Sequence, residues 1–147
     1  MPEYPDIELY LQALGSRLQG TRLTSAIQRD PFILGSVEPP LQALVGRQLE
    51  SLERMGKRIV LGFEGEVFMI VHLMISGRFS WTEPPKKPPA SLLLLQFERG
   101  WLGIREAGSK RRARVVIEAG REALNRHDPG GLEVFAATAQ EFARRLQ

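Results

Sequence analysis

Ile59-Val60-Leu61-Gly62-Phe63, Glu64-Gly65-Glu66 and Val67-Phe68-Met69-Ile70-Val71 form the stretch whose reading decides the fold. Two apolar runs rich in β-branched and aromatic residues flank a three-residue turn with Gly at its centre. That is the signature of an antiparallel hairpin. Leu92 to Phe97 and Trp101 to Ile104 repeat the pattern around Glu98-Arg99-Gly100, and Val115-Val116-Ile117 reads as a further short strand. Short strands at regular spacing argue for a sandwich or barrel. At the front of the chain, Ile7, Leu11, Leu14 and Leu18 recur at i, i+4, i+7 and i+11, which makes one apolar face of a helix ending near Gly20. The expected class is therefore α+β.

Working outward, Thr21 to Gln28 alternates and reads as a strand. Asp30 to Pro40 contains three prolines and reads as a loop. Leu41 to Val45 fits a short helix closed by Gly46, and from Gln48 onward the pattern is mostly β. Pro84-Pro85-Lys86-Lys87-Pro88-Pro89 is a stiff loop that cannot be a central strand. His127-Asp128-Pro129-Gly130-Gly131 reads as a linker. After it, Thr138-Ala139-Gln140-Glu141 is a capping box opening a helix whose apolar face starts with Phe142 and Leu146. A helix of about two turns is marginal by itself. The expected organisation is a domain over 1–126, then a linker and the start of a truncated helical second domain over 127–147.

Composition bounds the function classes. With 147 residues, 43% of them hydrophobic, the chain can bury a core of ordinary size. Its net charge is +3 and its pI about 9.7, a mildly basic balance that suits a nucleic-acid partner. Ser109-Lys110-Arg111-Arg112-Ala113-Arg114 gathers bases in one run, which fits either a solvated loop or a phosphate contact. There are no cysteines, which excludes disulfides, thiol catalysis and a thiolate zinc site within these residues. The two histidines, His72 and His127, are too far apart in sequence to suggest a metal site, so no metal or cofactor is expected in this chain. No apolar run approaches a membrane span and the start lacks a signal-peptide core, so a soluble, cytoplasmic protein is expected.

The chemistry gathers at the first eight residues, Met1-Pro2-Glu3-Tyr4-Pro5-Asp6-Ile7-Glu8. Once Met1 is removed, the chain begins with the secondary amine of Pro2 beside the carboxylate of Glu3. An amine nucleophile next to an acid is the minimum equipment for Schiff-base chemistry on a sugar aldehyde carbon. Condensation of a secondary amine gives a permanently charged iminium, a strong electron sink. Pro5, Asp6 and Glu8 suit a first helical turn, with Pro at its start and acids at the positive end of the dipole. The tripeptide alone reads more readily as an ordinary protein start.

These eight residues resemble the M-P-E-L-P-E-V-E start of the formamidopyrimidine-DNA glycosylase and endonuclease VIII family. Met55-Gly56-Lys57-Arg58-Ile59-Val60-Leu61 is similar to that family's R-G-K-Y-L-L-L strand, and Val71-His72-Leu73-Met74-Ile75-Ser76-Gly77-Arg78-Phe79 to its V-H-L-G-M-S-G-R-L. On physical grounds alone, Lys57 reads as a surface lysine with a snorkelled stem and His72 as a satisfied core residue. The three motifs together, in order over residues 1 to 80, carry the resemblance. It implies a two-layer antiparallel β-sandwich flanked by helices, with the N-terminal helix carrying the active-site terminus. It implies a DNA repair glycosylase with AP-lyase activity that acts on damaged, oxidised bases in double-stranded DNA and works as a monomer. Pro2 would be the nucleophile, Glu3 the general acid, and Lys57 a phosphate contact that assists elimination. His72 would contact phosphate. Family members often carry a zinc finger in their second half.

The sequence departs from the family at the residues that fill the stack when a base is flipped. Ile75 stands where the family has Met, and Met74 where it has Gly, so either could insert. The family's D-P-R-R-F-G loop falls on Glu106-Ala107-Gly108-Ser109-Lys110-Arg111, without its Phe. Lys110, Arg111 and Arg112 remain as candidate DNA contacts. A second reading is therefore a non-catalytic DNA-binding relative that kept the fold and lost lesion recognition.

Overall fold

In the computed structural model, residues 4–36, 38–108 and 112–128 are described, residues 4–6 by backbone alone. Helix α1 (Tyr4–Leu18) leads into strand β1 (Leu23–Gln28) and a 3-10 turn (Leu41–Leu44). Six strands follow: β2 (Leu49–Met55), β3 (Arg58–Phe63), β4 (Val67–His72), β5 (Gly77–Thr82), β6 (Leu93–Phe97) and β7 (Gly100–Glu106). Strand β8 (Arg114–Ala119) and the short helix α2 (Arg121–Asn125) complete the described chain. The strands make two antiparallel four-stranded sheets, ordered β1-β6-β7-β5 and β2-β3-β4-β8. The class is α+β, a two-layer sandwich flanked by helices, as the sequence led us to expect.

Side chains from both inner faces make one core. Ile59, Leu61, Phe63, Met69, Val71, Val115 and Ile117 meet Leu23, Leu93, Leu95, Phe97, Leu102 and Ile104. The Phe63 and Phe97 rings stack across the layers with centroids 6.4 Å apart. The outer face of the second sheet is covered too: Val60, Phe68 and Ile70 pack with Met55 and with Leu124 of α2. Burial on both faces explains why β3 and β4 read as unbroken apolar runs and not as alternating ones.

The four residues that set the helical period behave as one face. Ile7, Leu14 and Leu18 are buried, and Leu11 packs against the same core. Helix α1 lies on β2 and reaches β5 through the edge-on contact of Tyr10 with Phe79, 5.1 Å between centroids. It thus covers the flank where the edge strands β2 and β5 would expose unpaired backbone. On another edge, the loop after β1 is tied to β8, with Gly35 N–H donating to Val115 O at 2.8 Å and Val115 N–H to Ile33 O at 2.9 Å.

The hairpins β3–β4 and β6–β7 stand where the sequence placed them. Strand β5 and helix α2 had no separate assignment. His127, read from the sequence as the start of a linker, packs onto the second sheet. Its ring nitrogen Nε2 hydrogen bonds Glu118 Oε2, and its backbone N–H donates to Leu124 O at 3.0 Å. The capping box at 138–141 lies outside the described residues.

Candidate active-site corner and nucleic-acid interface

Pro2 and Glu3, the expected nucleophile and acid, lie outside the described residues, as do Lys110 and Arg111. The chain enters α1 at Tyr4, so the terminus adjoins the start of that helix. The β2–β3 turn, Gly56-Lys57, carries the exposed Lys57, with Gly56 at φ +65°. Arg54 joins the helix to this turn. Its Nη1 donates to Gly56 O at 3.0 Å, and its Nε lies 3.7 Å from Glu8 Oε1 on α1.

A basic row crosses the end of the second sheet. In register, Arg58 of β3, His72 of β4 and Arg114 of β8 are neighbours. The alternation of β4 puts His72 on the same outer face as Phe68 and Ile70. Burial chiefly, then the charges of Arg58 and Lys57, hold the His72 pKa below its ordinary value of 6.5. The ring is therefore neutral at neutral pH. Its Nδ1 accepts a hydrogen bond from Met74 N–H at 3.2 Å, which assigns the proton to Nε2. His72 is thus a fixed neutral donor flanked by cations, an arrangement suited to a phosphate oxygen. The same bond bears on the core alternative: the ring is half-buried, and one of its two nitrogens is already satisfied.

The next turn presents the residues expected to insert. Leu73 is buried, Met74 is half-buried, and Ile75 is 60% exposed. Ile75 is therefore the residue that projects. Met74 has φ +59°, a left-handed conformation that L side chains adopt at a cost. Gly77 closes the turn by donating to Leu73 O at 2.9 Å, and a β-carbon at 77 would stand 2.3 Å from that oxygen. Only glycine fits so close an approach.

Glu106 ties this turn to the loop that precedes β8. Its Oε2 accepts from Ser76 Oγ at 2.7 Å, and its Oε1 accepts from the backbone N–H of Arg112 at 2.8 Å and of Ala113 at 3.0 Å. One carboxylate, 9% exposed, thus sits at the base of both loops that carry candidate DNA contacts. The Arg112 side chain is exposed beside it.

The structure therefore groups Lys57 with His72, and Ile75 with the backbone of Arg112. Sequence reading missed Arg54, Arg58 and Glu106, and held Arg114 only as the end of the basic run. Arg58 stands next to Lys57 in the motif, so it too had a signal. A carboxylate that ends a strand, as Glu106 does, looks like any turn acid until its amide partners are seen. Among the described residues no group of three or more His, Asp or Glu converges to hold a metal, and no helix is long and apolar enough to cross a membrane.

Comparison with known proteins agrees with this geometry. The sequence profile of the formamidopyrimidine-DNA glycosylase N-terminal domain matches residues 1–127. The formamidopyrimidine-DNA glycosylase of Thiobacillus denitrificans is 41% identical over 85 residues, which cover 57% of this chain and 31% of that protein. That of Solibacter usitatus is 35% identical over 104 residues, 69% of this chain and 38% of that protein. The fold is similar to that of the Lactococcus lactis Fpg protein solved with THF-DNA and an inhibitor: TM-score 0.75 at 19% identity, over 85% of this chain and 46% of that one. MutM in complex with carbocyclic 8-oxo-G containing DNA gives the same TM-score and identity, over 85% of this chain and 48% of its own. The chain spans about a third to a half of the length of these relatives. With the profile matching most of its length, the chain belongs to the formamidopyrimidine-DNA glycosylase family and carries that family's N-terminal domain.

Proposed function

We propose that the full-length protein is a DNA glycosylase with AP-lyase activity, acting on oxidised bases in double-stranded DNA through a Schiff base on Pro2. The damaged nucleotide is flipped out of the duplex, at a cost of about a few kcal/mol of unstacking. The Pro2 nitrogen attacks C1′ and the C1′–N bond to the base breaks. Glu3 supplies a proton to the sugar O4′ as the ring opens, and the iminium forms between the proline nitrogen and C1′. A general acid in such a step is typically worth about 10²–10⁴ in rate. The iminium acidifies C2′. Loss of a C2′ proton expels the phosphate from C3′, and water then releases the enzyme. Lys57 and His72 hold the backbone phosphates on either side of this chemistry, and the steps use no metal or cofactor.

The observation that carries this reading is the corner built by Arg54, where the helix that follows the terminus and the turn that bears Lys57 share one guanidinium. It supports a nucleophilic terminus working next to a phosphate-binding lysine. Family membership favours an enzyme over the non-catalytic relative. Borohydride trapping on DNA with an abasic site tests the proposal, using full-length protein whose Met1 removal is verified by mass. A covalent adduct that disappears when an extra residue blocks Pro2 is expected. Correctly processed protein that gives no adduct would overturn the lyase assignment. Glu3→Gln should lower base removal while leaving DNA affinity in place.

A further inference from the structure

A groove of about 600 Å³ opens beside the Ser76–Glu106 bond, bordered by Arg29, Arg78 and Arg105 and by the acids Asp30 and Glu106. Arg78 of β5 and Arg105 of β7 are register partners, so two guanidinium side chains leave the same face of the sheet directly opposite one another. Like charges in that position repel and destabilise a sheet. Neither they nor Arg29 form an ion pair with any carboxylate among the described residues. The two acids of the groove are turned inward. Asp30 is 8% exposed, and its Oδ1 accepts from Phe32 N–H at 2.8 Å. Glu106 has both oxygens engaged by Ser76 and by the amides of Arg112 and Ala113. The groove is therefore bordered by three exposed arginines, of which Arg78 spends Nη1 on Gly77 O at 2.8 Å, while its two carboxylates are buried.

We infer that this groove is a phosphodiester-binding site additional to Lys57 and His72. Arg78 and Arg105 clamp one backbone phosphate between them, and Arg29 contacts a neighbouring one. A guanidinium offers a planar fork of donors that matches phosphate oxygens, and an anion between the two arginines converts their repulsion into a shared attraction. The site adjoins the turn that presents Ile75, because Ser76 and Arg78 belong to the same segment as that residue. DNA held there continues over the same turn. The inference rests on the reading of DNA as the substrate.

The test is the salt dependence of binding. Full-length protein is titrated into duplex DNA containing tetrahydrofuran in place of one nucleoside, with fluorescence anisotropy read across a salt series. Each neutralised phosphate contributes roughly 0.9 to the slope of log affinity against log salt. Arg78→Gln with Arg105→Gln should lower that slope by about 1 and weaken binding most at low salt. Arg78→Lys with Arg105→Lys, which keeps both charges, should retain most of the slope. Thermal unfolding provides the folding control: removing the facing charges should leave the glutamine variant at least as stable as the parent protein. An unchanged slope in that variant, alongside a reduced slope in Lys57→Ala, overturns the inference and leaves the proposed function standing. Failure of the unaltered protein to bind the duplex at low salt overturns both.

Discussion

Arg54 Nε on β2 lies 3.7 Å from Glu8 Oε1 on α1, and the same guanidinium donates to Gly56 O, one residue before Lys57. Only 5% of the Arg54 side chain is exposed, whereas Glu8 is 40% exposed. A cation this buried is tolerable because Nη1 donates to a backbone carbonyl and Nε faces a carboxylate. Methionine has a stem of similar length without those donors. Arg54→Met should therefore lower unfolding stability by about 1–3 kcal/mol and, because helix and turn lose their common tie, reduce the rate of borohydride trapping on abasic DNA. Glu8→Gln should cost less, about 1 kcal/mol or under, because solvent screens that partner. Chemical denaturation measures the first effect and trapping kinetics the second. An Arg54→Met protein that traps at the parental rate would remove the guanidinium from the positioning role.

His72 makes a pH-dependent prediction whose sign follows from its environment. Its folded pKa is held below the ordinary 6.5, by burial first and then by Arg58 and Lys57. In acid the unfolded chain then binds the proton before the folded one does, so stability rises with pH across that window. The contribution is fully present above pH 6.5 and is lost as pH falls through the ordinary value towards the folded one. A phosphate on the Nε2 side has the opposite influence, favouring the charged ring, so DNA binding should take up a proton as the solution is acidified. His72→Asn retains an acceptor near the Nδ1 position for Met74 N–H and should fold with the acid sensitivity diminished. The pH dependence of affinity at fixed ionic strength should flatten in that variant. Equal slopes in the parent and His72→Asn would place the phosphate elsewhere.

Most of this architecture is visible in the sequence wherever one physical cause dominates. The period of Ile7, Leu11, Leu14 and Leu18 has a single solution, a helix with one buried stripe, and the structure adopts it. The runs 59–63 and 67–71 are unbroken because both faces are covered, and the turn at 64–66 leaves no other pairing. Helix α2, at five residues, is shorter than two helical periods, so it carries no periodic signal of its own. Of the site, Lys57 and His72 lie in motifs that can be read directly. The choice between Met74 and Ile75 is not legible, because it depends on a backbone angle at Met74 that turns the next side chain outward. Nor is the role of Glu106, whose carboxylate joins Ser76 to the amides of Arg112 and Ala113, groups that meet only in the folded chain.

The angle at Met74 is testable by itself. Met74→Gly and Met74→Ala both remove the side chain and its packing, so they differ mainly in their tolerance of φ +59°. A left-handed alanine is strained by roughly 1–2 kcal/mol, partly offset by the greater freedom of glycine in the unfolded chain. Met74→Gly should therefore be the more stable of the two by about 1 kcal/mol. Equal stabilities by denaturant titration would mean that the turn relaxes to another conformation, and the outward aim of Ile75 would then lose its basis.

Glu106 is the residue at which stability and DNA handling should be lost together. Glu106→Ala leaves the buried N–H of Ala113 and the part-buried N–H of Arg112 without this acceptor and frees Ser76 from the neighbouring loop. Taking the acceptor from one buried donor and one part-buried donor costs roughly 1–3 kcal/mol. Glutamine can still accept both amides through its carbonyl while its NH₂ donates to the serine hydroxyl, so Glu106→Gln should keep most of that stability. Ser76→Ala breaks one bond and leaves the amide clamp intact, and should cost about 1 kcal/mol. The informative quantity is affinity for abasic duplex relative to undamaged duplex, since under the proposed function the two loops would meet DNA at the flipped nucleotide only when held in register. Glu106→Ala should lose that preference at temperatures where it remains folded, while Glu106→Gln retains it. If both variants keep the parental preference, the two loops act independently and the carboxylate serves stability alone.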